Sequence, residues 1–285
     1  MTVQSAFTLI INTLEPLQGA REAGNIAHIL LEHITGMGKM DRIVYKDRPL
    51  SADQETQLNH SLILLQQHQP IQYVIGKAWF YGLELKVDNN VLIPRPETEE
   101  LVEWVVNDTN TPVKILDIGT GSGAIPLALK KQLPQAEVWS VDVSSGALQV
   151  AAENAKASNL DIHLQEIDIL DTSATQQLPV FDVIVSNPPY IRDSEHADME
   201  QQVTAYEPRL ALFVPDNDAF LFYRTIALLA KEKLSENGRL YLEINEAFGK
   251  ETMQLLDEQG YEAELKKDIY GKDRMIKAKK KPGSL

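Results

Sequence analysis

The sequence contains no cysteine, which excludes disulfides, thiolate metal sites and a cysteine nucleophile and is compatible with a reducing compartment. It also lacks any apolar run approaching the roughly 18 residues of a membrane span. Met1 to Leu17 has no basic segment followed by an apolar core, so a cytoplasmic protein with no membrane partner is expected. Positive charge is scarce: 27 Lys and Arg stand against 41 Asp and Glu, a formal net charge of −14. That balance argues against a broad footprint on a nucleic-acid backbone, so no direct nucleic-acid partner is expected. The one obvious basic run, Lys277 with Lys279 to Lys281, is expected to be a solvated tail. Metal-ligand spacing is missing as well, because His28, His33, His60 and His68 are scattered without companion carboxylates. What remains is ordinary for a globular protein: 285 residues, 44% hydrophobic and 24% charged, enough for a large domain and a small one.

The first 70 residues read as helices. Phe7, Leu9, Ile10, Ile11 and Leu14 form an apolar face that Pro16 is expected to break, and Ile26, Ile29, Leu30, Leu31 and Ile34 form a second that ends at Gly36. A third helix starts from Ser51 as N-cap and carries Leu58, Leu62 and Leu65 toward Pro70. From Ile71 to Pro96 the period changes to two, with Asp88-Asn89-Asn90 as a turn before Val91-Leu92-Ile93, so a β-hairpin linker is expected. Pro94-Arg95-Pro96 then holds Arg95 on an extended backbone. Glu97, Glu99 and Glu100 load the first turn of a following helix.

Val113 to Ile118 is a predicted strand, followed by Gly119-Thr120-Gly121-Ser122-Gly123 and a helix to Leu133. Glycines permit positive φ and remove the β-carbons that would keep a ligand from the backbone, and the helix start beyond offers free N–H groups. With Ala124 in third place the stretch also satisfies the looser dinucleotide fingerprint. The next strand ends in Asp142, 23 residues after Gly119, where an acid accepts from ribose hydroxyls, so an adenosine cofactor is implied. Asp117, just ahead of the glycines, repels a diphosphate but suits the ammonium of a methionine moiety. After a helix from Ser144 to Ser158 and a strand from Ile162 to Ile167, Asp168 and Ile169 are placed to flank an adenine, Asp168 accepting from its amine and Ile169 packing on the ring.

Phe181 to Ser186 is a β-branched run that reads as a strand buried on both faces. Asn187-Pro188-Pro189-Tyr190 therefore sits at a strand's C-terminal end, where open α/β sheets bind ligands. Two prolines stiffen the main chain and remove two donors. Asn187 adds an acceptor oxygen and two N–H donors, and Tyr190 adds a flat ring. These are the parts needed to grip a planar –NH2 group. A long irregular stretch runs on to Pro215 through Tyr206-Glu207-Pro208-Arg209, placed to act as a lid or substrate wall. Strands and helices then alternate to the end, predicting an α/β fold with a doubly wound, mostly parallel sheet and one antiparallel strand at its end.

Five segments carry a resemblance to a known family: Phe80-Tyr81-Gly82, the run Ile93 to Glu99, Asp117 to Gly123, Ser186 to Ile191, and Glu207 to Leu212. Together they resemble the peptide chain release factor N(5)-glutamine methyltransferases, the HemK or PrmC family, over residues 70 to 285. The resemblance implies a class I S-adenosylmethionine-dependent methyltransferase fold, Rossmann-like. It also implies methyl transfer from S-adenosyl-L-methionine, with S-adenosyl-L-homocysteine as product, to the glutamine amide nitrogen of the Gly-Gly-Gln motif in release factors, tuning translation termination. By position, Asp117, Gly119 to Gly123, Asp142, Asp168, Ile169 and Asn187 would bind the cofactor. Asn187, Pro188, Pro189 and Tyr190 would hold the substrate amide, with Asn187, Pro188 and Tyr190 catalytic.

The expected layout is a helical substrate-recognition domain over 1–70, a hairpin linker over 71–96 and the methyltransferase domain over 97–285, acting as a monomer. Three departures from the family's pattern stand out: Ile169 replaces an aromatic found in some members, Pro126 lies in the helix after the glycine loop, and Glu243-Ile244-Asn245 continues differently. The rival readings are an adenine exocyclic-amine methyltransferase acting on DNA or RNA, since that amine is also a planar –NH2, and a silent cofactor-binding module. Glu243-Ile244-Asn245 supports no inference.

Overall fold

A computed structural model describes residues 1–110 and 113–283, which cluster into two compact units: Met1–Lys77 with Glu200–Tyr206, and Ala78–Met199 with Glu207–Leu285. Among these residues no helix is long and apolar enough to cross a membrane.

The first unit is helical, with α1 (Val3–Gln18), α2 (Ala20–Thr35), α3 (Lys39–Val44), α4 (Ala52–Gln66) and α5 (Ile71–Ile75) around a core that includes Ile10, Leu14, Leu30, Leu31, Leu58 and Leu65. Ser51 caps α4 through a reciprocal pair: its hydroxyl accepts from Gln54 N at 3.2 Å, and Ser51 N donates to Gln54 Oε1 at 3.0 Å. Pro16 does not break α1. So close to the helix end its missing N–H costs a single bond, and Gly19, at φ +81°, turns the chain instead.

The hairpin differs from its expected form. Strands β1 (Lys77–Phe80) and β2 (Leu83–Lys86) pair around Tyr81 and Gly82, at φ +47° and +71°, while residues 71–75 are helical and 91–93 form no strand. Positive φ at both central residues matches the twist of paired strands. The Asp88 to Asn90 turn is local, Asp88 Oδ1 accepting from Asn90 N at 2.9 Å.

The second unit continues with α6 (Pro96–Asp108), β3 (Lys114–Ile118), α7 (Ala124–Gln132), β4 (Glu137–Asp142), α8 (Ser145–Ser158), β5 (His163–Glu166), α9 (Thr172–Thr175) and β6 (Phe181–Ser186). Then come β7 (Ile191–Arg192), α10 (Gln201–Tyr206, part of the first unit), β8 (Phe213–Val214), α11 (Leu221–Lys233), β9 (Leu234–Glu243), α12 (Gly249–Glu258), β10 (Tyr261–Lys267) and β11 (Asp273–Lys280). Seven strands form one sheet in the order β10-β11-β9-β6-β3-β4-β5.

Alternation along β6 puts Ile184 into a core with Tyr223, Ile226 and Leu256, and Val183 and Val185 into another with Leu101, Val105 and Leu127; Phe181 joins the first core across the irregularity between Phe181 and Val183. The sheet is thus covered on both faces, as doubly wound topology requires. The antiparallel strand is β11, one position in from the edge, because β11 folds back from β10 and inserts between it and β9. Lys277, Lys279 and Lys280 belong to β11 rather than to a solvated tail, with Lys277 paired to Asp108 and Glu264 and Lys279 to Glu262.

Pro126 falls third in α7, where its absent N–H has no intrahelical partner to lose, so the helix forms through it. The stretch from 191 to 215 is more regular than expected, because β7 pairs in parallel with β8.

Candidate active site

Consecutive strands run outward from β3 through β4 to β5 and then return to β6 on the other side of β3, so a crevice opens at the carboxyl ends of β3 and β6. A cavity of about 140 Å³ lies there. Its wall includes Gly119, Gly121, Asp142, Ser144, Asp168, Ile169, Asn187, Pro188 and Pro189, together with Val91, Leu92, Leu210, Ala211 and Phe222. Among the described residues no Lys, Arg or His lines it. The ends of four strands therefore meet around one space.

Gly119 and Gly121 hold φ of +80° and +51°, and a β-carbon added to either would meet no protein atom within 4 Å. The loop thus leaves an open cradle. Gly123 differs: at φ +83° its missing β-carbon would meet Leu127 Cδ1 at 3.1 Å and Ala151 Cβ at 3.3 Å, so it serves helix packing. Ser122 O accepts from Asn154 Nδ2 at 2.8 Å, which fixes the loop from behind.

Asp142 accepts from Gly121 N at 3.0 Å and from Ser144 N at 2.9 Å, and burial raises its pKa despite those bonds. Asp168 is exposed and spends Oδ1 on Leu170 N at 2.9 Å, while Ile169 is buried beside it.

Asp117 is fully buried and lies off the cavity wall. Its Oδ2 accepts from Ser140 Oγ at 2.5 Å, and its Oδ1, like Thr120 Oγ1, has no hydrogen-bond partner. Burial pushes this carboxyl up to about 7; the nearby Ser140 and Thr120 hydroxyls pull it down, and the Asp142 charge adds to the rise. Asp142 and Asp168 on the wall beside an open glycine loop, with no cation among the described lining residues, fit a cationic ligand that carries ribose hydroxyls. They oppose a pyrophosphate.

Asn187 and both prolines line the cavity, whereas Tyr190 does not and instead packs on the core beneath. Its hydroxyl donates to Glu243 Oε1 at 3.2 Å, and its carbonyl accepts from Asn245 Nδ2 at 3.3 Å. Glu243 Oε2 accepts from Thr98 Oγ1 at 2.6 Å, and Thr98 Oγ1 accepts from Asn187 Nδ2 at 3.2 Å. Burial raises the pKa of Glu243, with Thr98, the Arg274 guanidinium and Tyr190 acting against that rise and Glu97 adding to it. Burial likewise raises that of Tyr190, which stays a neutral donor.

Sequence reasoning missed Thr98, Glu243 and Phe222. Glu243 ends β9, the strand beside β6, and the rule that ligands gather at strand carboxyl ends was the available signal. Arg95 points at Glu207: its Nη2 donates to Glu207 Oε1 at 2.7 Å, and Ile93 N donates to Oε2 at 3.2 Å. That pair ties the proline segment to the residues around Pro208.

Residues 97–207 match the family described as Methyltransferase small domain, and residues 9–76 that described as PrmC N-terminal domain. A release factor glutamine methyltransferase of Flavobacterium psychrophilum is 44% identical over 283 residues, spanning 97% of this chain and 99% of that one. The protein of the same name from Bacteroides thetaiotaomicron is 38% identical over 270 residues, 94% and 97% of the two chains. Among solved structures, a methyltransferase from Pyrococcus furiosus shares the fold at a TM-score of 0.51 and 17% identity, covering 81% of this chain and all of that one.

Proposed function

The chain belongs to the release factor glutamine methyltransferases, and from that premise we propose that it methylates the side-chain amide nitrogen of the glutamine in the Gly-Gly-Gln motif of peptide chain release factors. The observation that supports this most directly is the meeting, in one cation-free cavity, of the Gly119–Gly121 cradle and the Asn187-Pro188-Pro189 corner. S-adenosyl-L-methionine supplies an electrophilic methyl on its sulfonium and leaves as S-adenosyl-L-homocysteine. In this reading Asp142 accepts from the ribose hydroxyls and Asp168 and Ile169 flank the adenine, while Asp117, off the cavity wall, favours the ammonium through its charge when ionised rather than by contact. The relatives' names point to a protein amide, so the reading as an adenine methyltransferase of nucleic acid has no support.

An amide nitrogen is a poor nucleophile because its lone pair is delocalised into the carbonyl. Asn187 Oδ1 and the Pro188 carbonyl accept its two hydrogens and favour a pyramidal nitrogen whose lone pair points at the methyl, while Tyr190, packed on the core rather than on the cavity wall, supports the corner from beneath. Catalysis is positioning plus stabilisation of charge that develops in the transition state. The methylated nitrogen is acidic until it sheds one hydrogen to water, so the site needs no strong base. The helical module over the first 70 residues would hold the release factor away from its glutamine. We infer a monomer, because one chain supplies every named residue, and a cytoplasmic enzyme, because its proposed substrate is a translation factor.

The test is direct: purified chain, methyl-labelled cofactor and either release factor or nucleic acid are incubated together. Label is expected in the release factor and absent when its Gly-Gly-Gln glutamine is replaced by alanine. Label in the nucleic acid, or in neither, rejects the proposal.

Asp117 yields a pH-dependent expectation. Its folded pKa of about 7 lies above the ordinary carboxyl value of 3.8, so ionising it costs stability as pH rises from about 4 to about 7. Asp117→Asn removes that cost. The variant without cofactor is expected to be more stable than the parent at pH 8 by roughly 2 kcal/mol, a few degrees in Tm, with the advantage shrinking by pH 5. Its cofactor affinity is expected to fall at pH 8, because the variant loses a negative charge near the cationic ligand. Thermal unfolding at the two pH values checks the sign, and a variant less stable at pH 8 contradicts it.

A further inference from the structure

Asn187 has an amide whose two ends differ chemically, and a useful acceptor must face the cavity. Nothing in a side-chain amide's shape decides this, since oxygen and NH2 are nearly the same size. The surrounding hydrogen bonds do decide it. Thr98 carries one hydroxyl proton, and its oxygen donates at 2.6 Å to Glu243 Oε2; Oε1 accepts from Tyr190 in the same way, and against the burial that opposes it the Arg274 guanidinium favours the ionised, accept-only form. The proton is therefore committed to Glu243. Toward Asn187 the same oxygen offers a lone pair alone, so the group it meets at 3.2 Å must be the Nδ2 donor. Oδ1 is left on the opposite side of the amide, and Asn187 lines the cavity. Tyr190 closes the arrangement from its other end by donating to Glu243 Oε1.

We propose that Thr98 and Glu243 are positioning residues for the reaction: the buried carboxylate polarises a one-way relay through the Thr98 hydroxyl that locks Asn187 with its oxygen toward the substrate nitrogen. The inference rests on the proposed role of Asn187 and says how that role is enforced. Thr98 is 4% exposed and Glu243 2%, so neither competes with water for its partners. They come from the first turn of α6 and the end of β9, two elements that hold the tetrapeptide between them. A flipped Asn187 presents NH2 to NH2, which repels the substrate amide and does so most as the nitrogen gains positive charge. The relay therefore acts on turnover.

The experiment compares Thr98→Val, Thr98→Ser and Asn187→Ala in the full chain, with release factor saturating and kcat expressed per cofactor-binding site. Valine keeps the shape of threonine and removes both donor and acceptor, so kcat is expected to fall about a hundredfold while cofactor Kd stays within about threefold. Serine restores the hydroxyl, and kcat is expected within about threefold of the parent. A purely structural role for Thr98 predicts the reverse for serine, which loses the packed methyl. Should the valine chain fail to fold, Thr98→Ala repeats the test without added bulk. Parental turnover in Thr98→Val, or a serine variant as impaired as the valine one, overturns the relay. Parental turnover in Asn187→Ala overturns the underlying reading of Asn187, which separates the two failures.

Discussion

Replacing Asn187 with alanine is expected to lower kcat for release-factor methylation by about a thousandfold and to leave cofactor Kd within about tenfold. The asymmetry follows from where the side chain works. Asn187 lines the cavity, but Gly119, Gly121 and Asp142, which ring the rest of it, come from other strand ends and do not depend on the amide. The hydrogen bond from substrate to Oδ1 strengthens as the nitrogen gains charge, so its loss falls on the transition state rather than on binding. The fold is expected to survive, because truncation removes one donor from Thr98 Oγ1 and leaves no buried charge behind. Asn187→Asp sharpens the point. It keeps an oxygen for the substrate, yet the oxygen turned toward Thr98 finds no proton there, since Glu243 takes it. Turnover is expected to stay low in that variant too. Single-turnover methylation measured beside cofactor titration checks both, and an alanine variant with near-parental kcat refutes the role.

Strand ends were the legible part of this chain. A β-branched run such as Phe181 to Ser186 declares a strand with two buried faces, and the rule for open sheets then places whatever follows it. That rule puts Asn187 and Asp142 at strand ends, and both stand on the cavity wall. Pairings between distant segments were not legible. Thr98 and Glu243 are 145 positions apart, Arg95 and Glu207 are 112 apart, and no local pattern encodes either partnership.

The hairpin failed for a different reason. Asp88-Asn89-Asn90 has the composition of a turn, whereas the turn that forms puts Tyr81 at φ +47°, a conformation that composition rules disfavour for a bulky residue. Tertiary packing overrode propensity there: Tyr81 N is held by Glu99 Oε1 at 2.7 Å, and Lys131 Nζ donates to Gly82 O at 2.8 Å.

Gly121→Val is expected to weaken cofactor binding by at least a hundredfold, on the order of 3 kcal/mol, while folding is retained. Two effects combine. Gly121 sits at φ +51°, where a residue bearing a β-carbon costs about 1–2 kcal/mol, and a branched one more. That strain alone weakens the protein without touching affinity. The larger effect is steric: the added atoms meet no protein, so they project into space that in this reading belongs to the cofactor. Gly121 N also holds Asp142 Oδ2, so a loop that shifts to relieve the strain also turns the acid meant for the ribose. Gly123→Val is the counterpart. Its β-carbon would press on Leu127 and Ala151, so that variant is expected to lose its fold rather than its ligand. Calorimetric titration with S-adenosyl-L-methionine and thermal melts of the two proteins separate the cases. A Gly121 variant that binds the cofactor as tightly as the parent means the cradle holds something else.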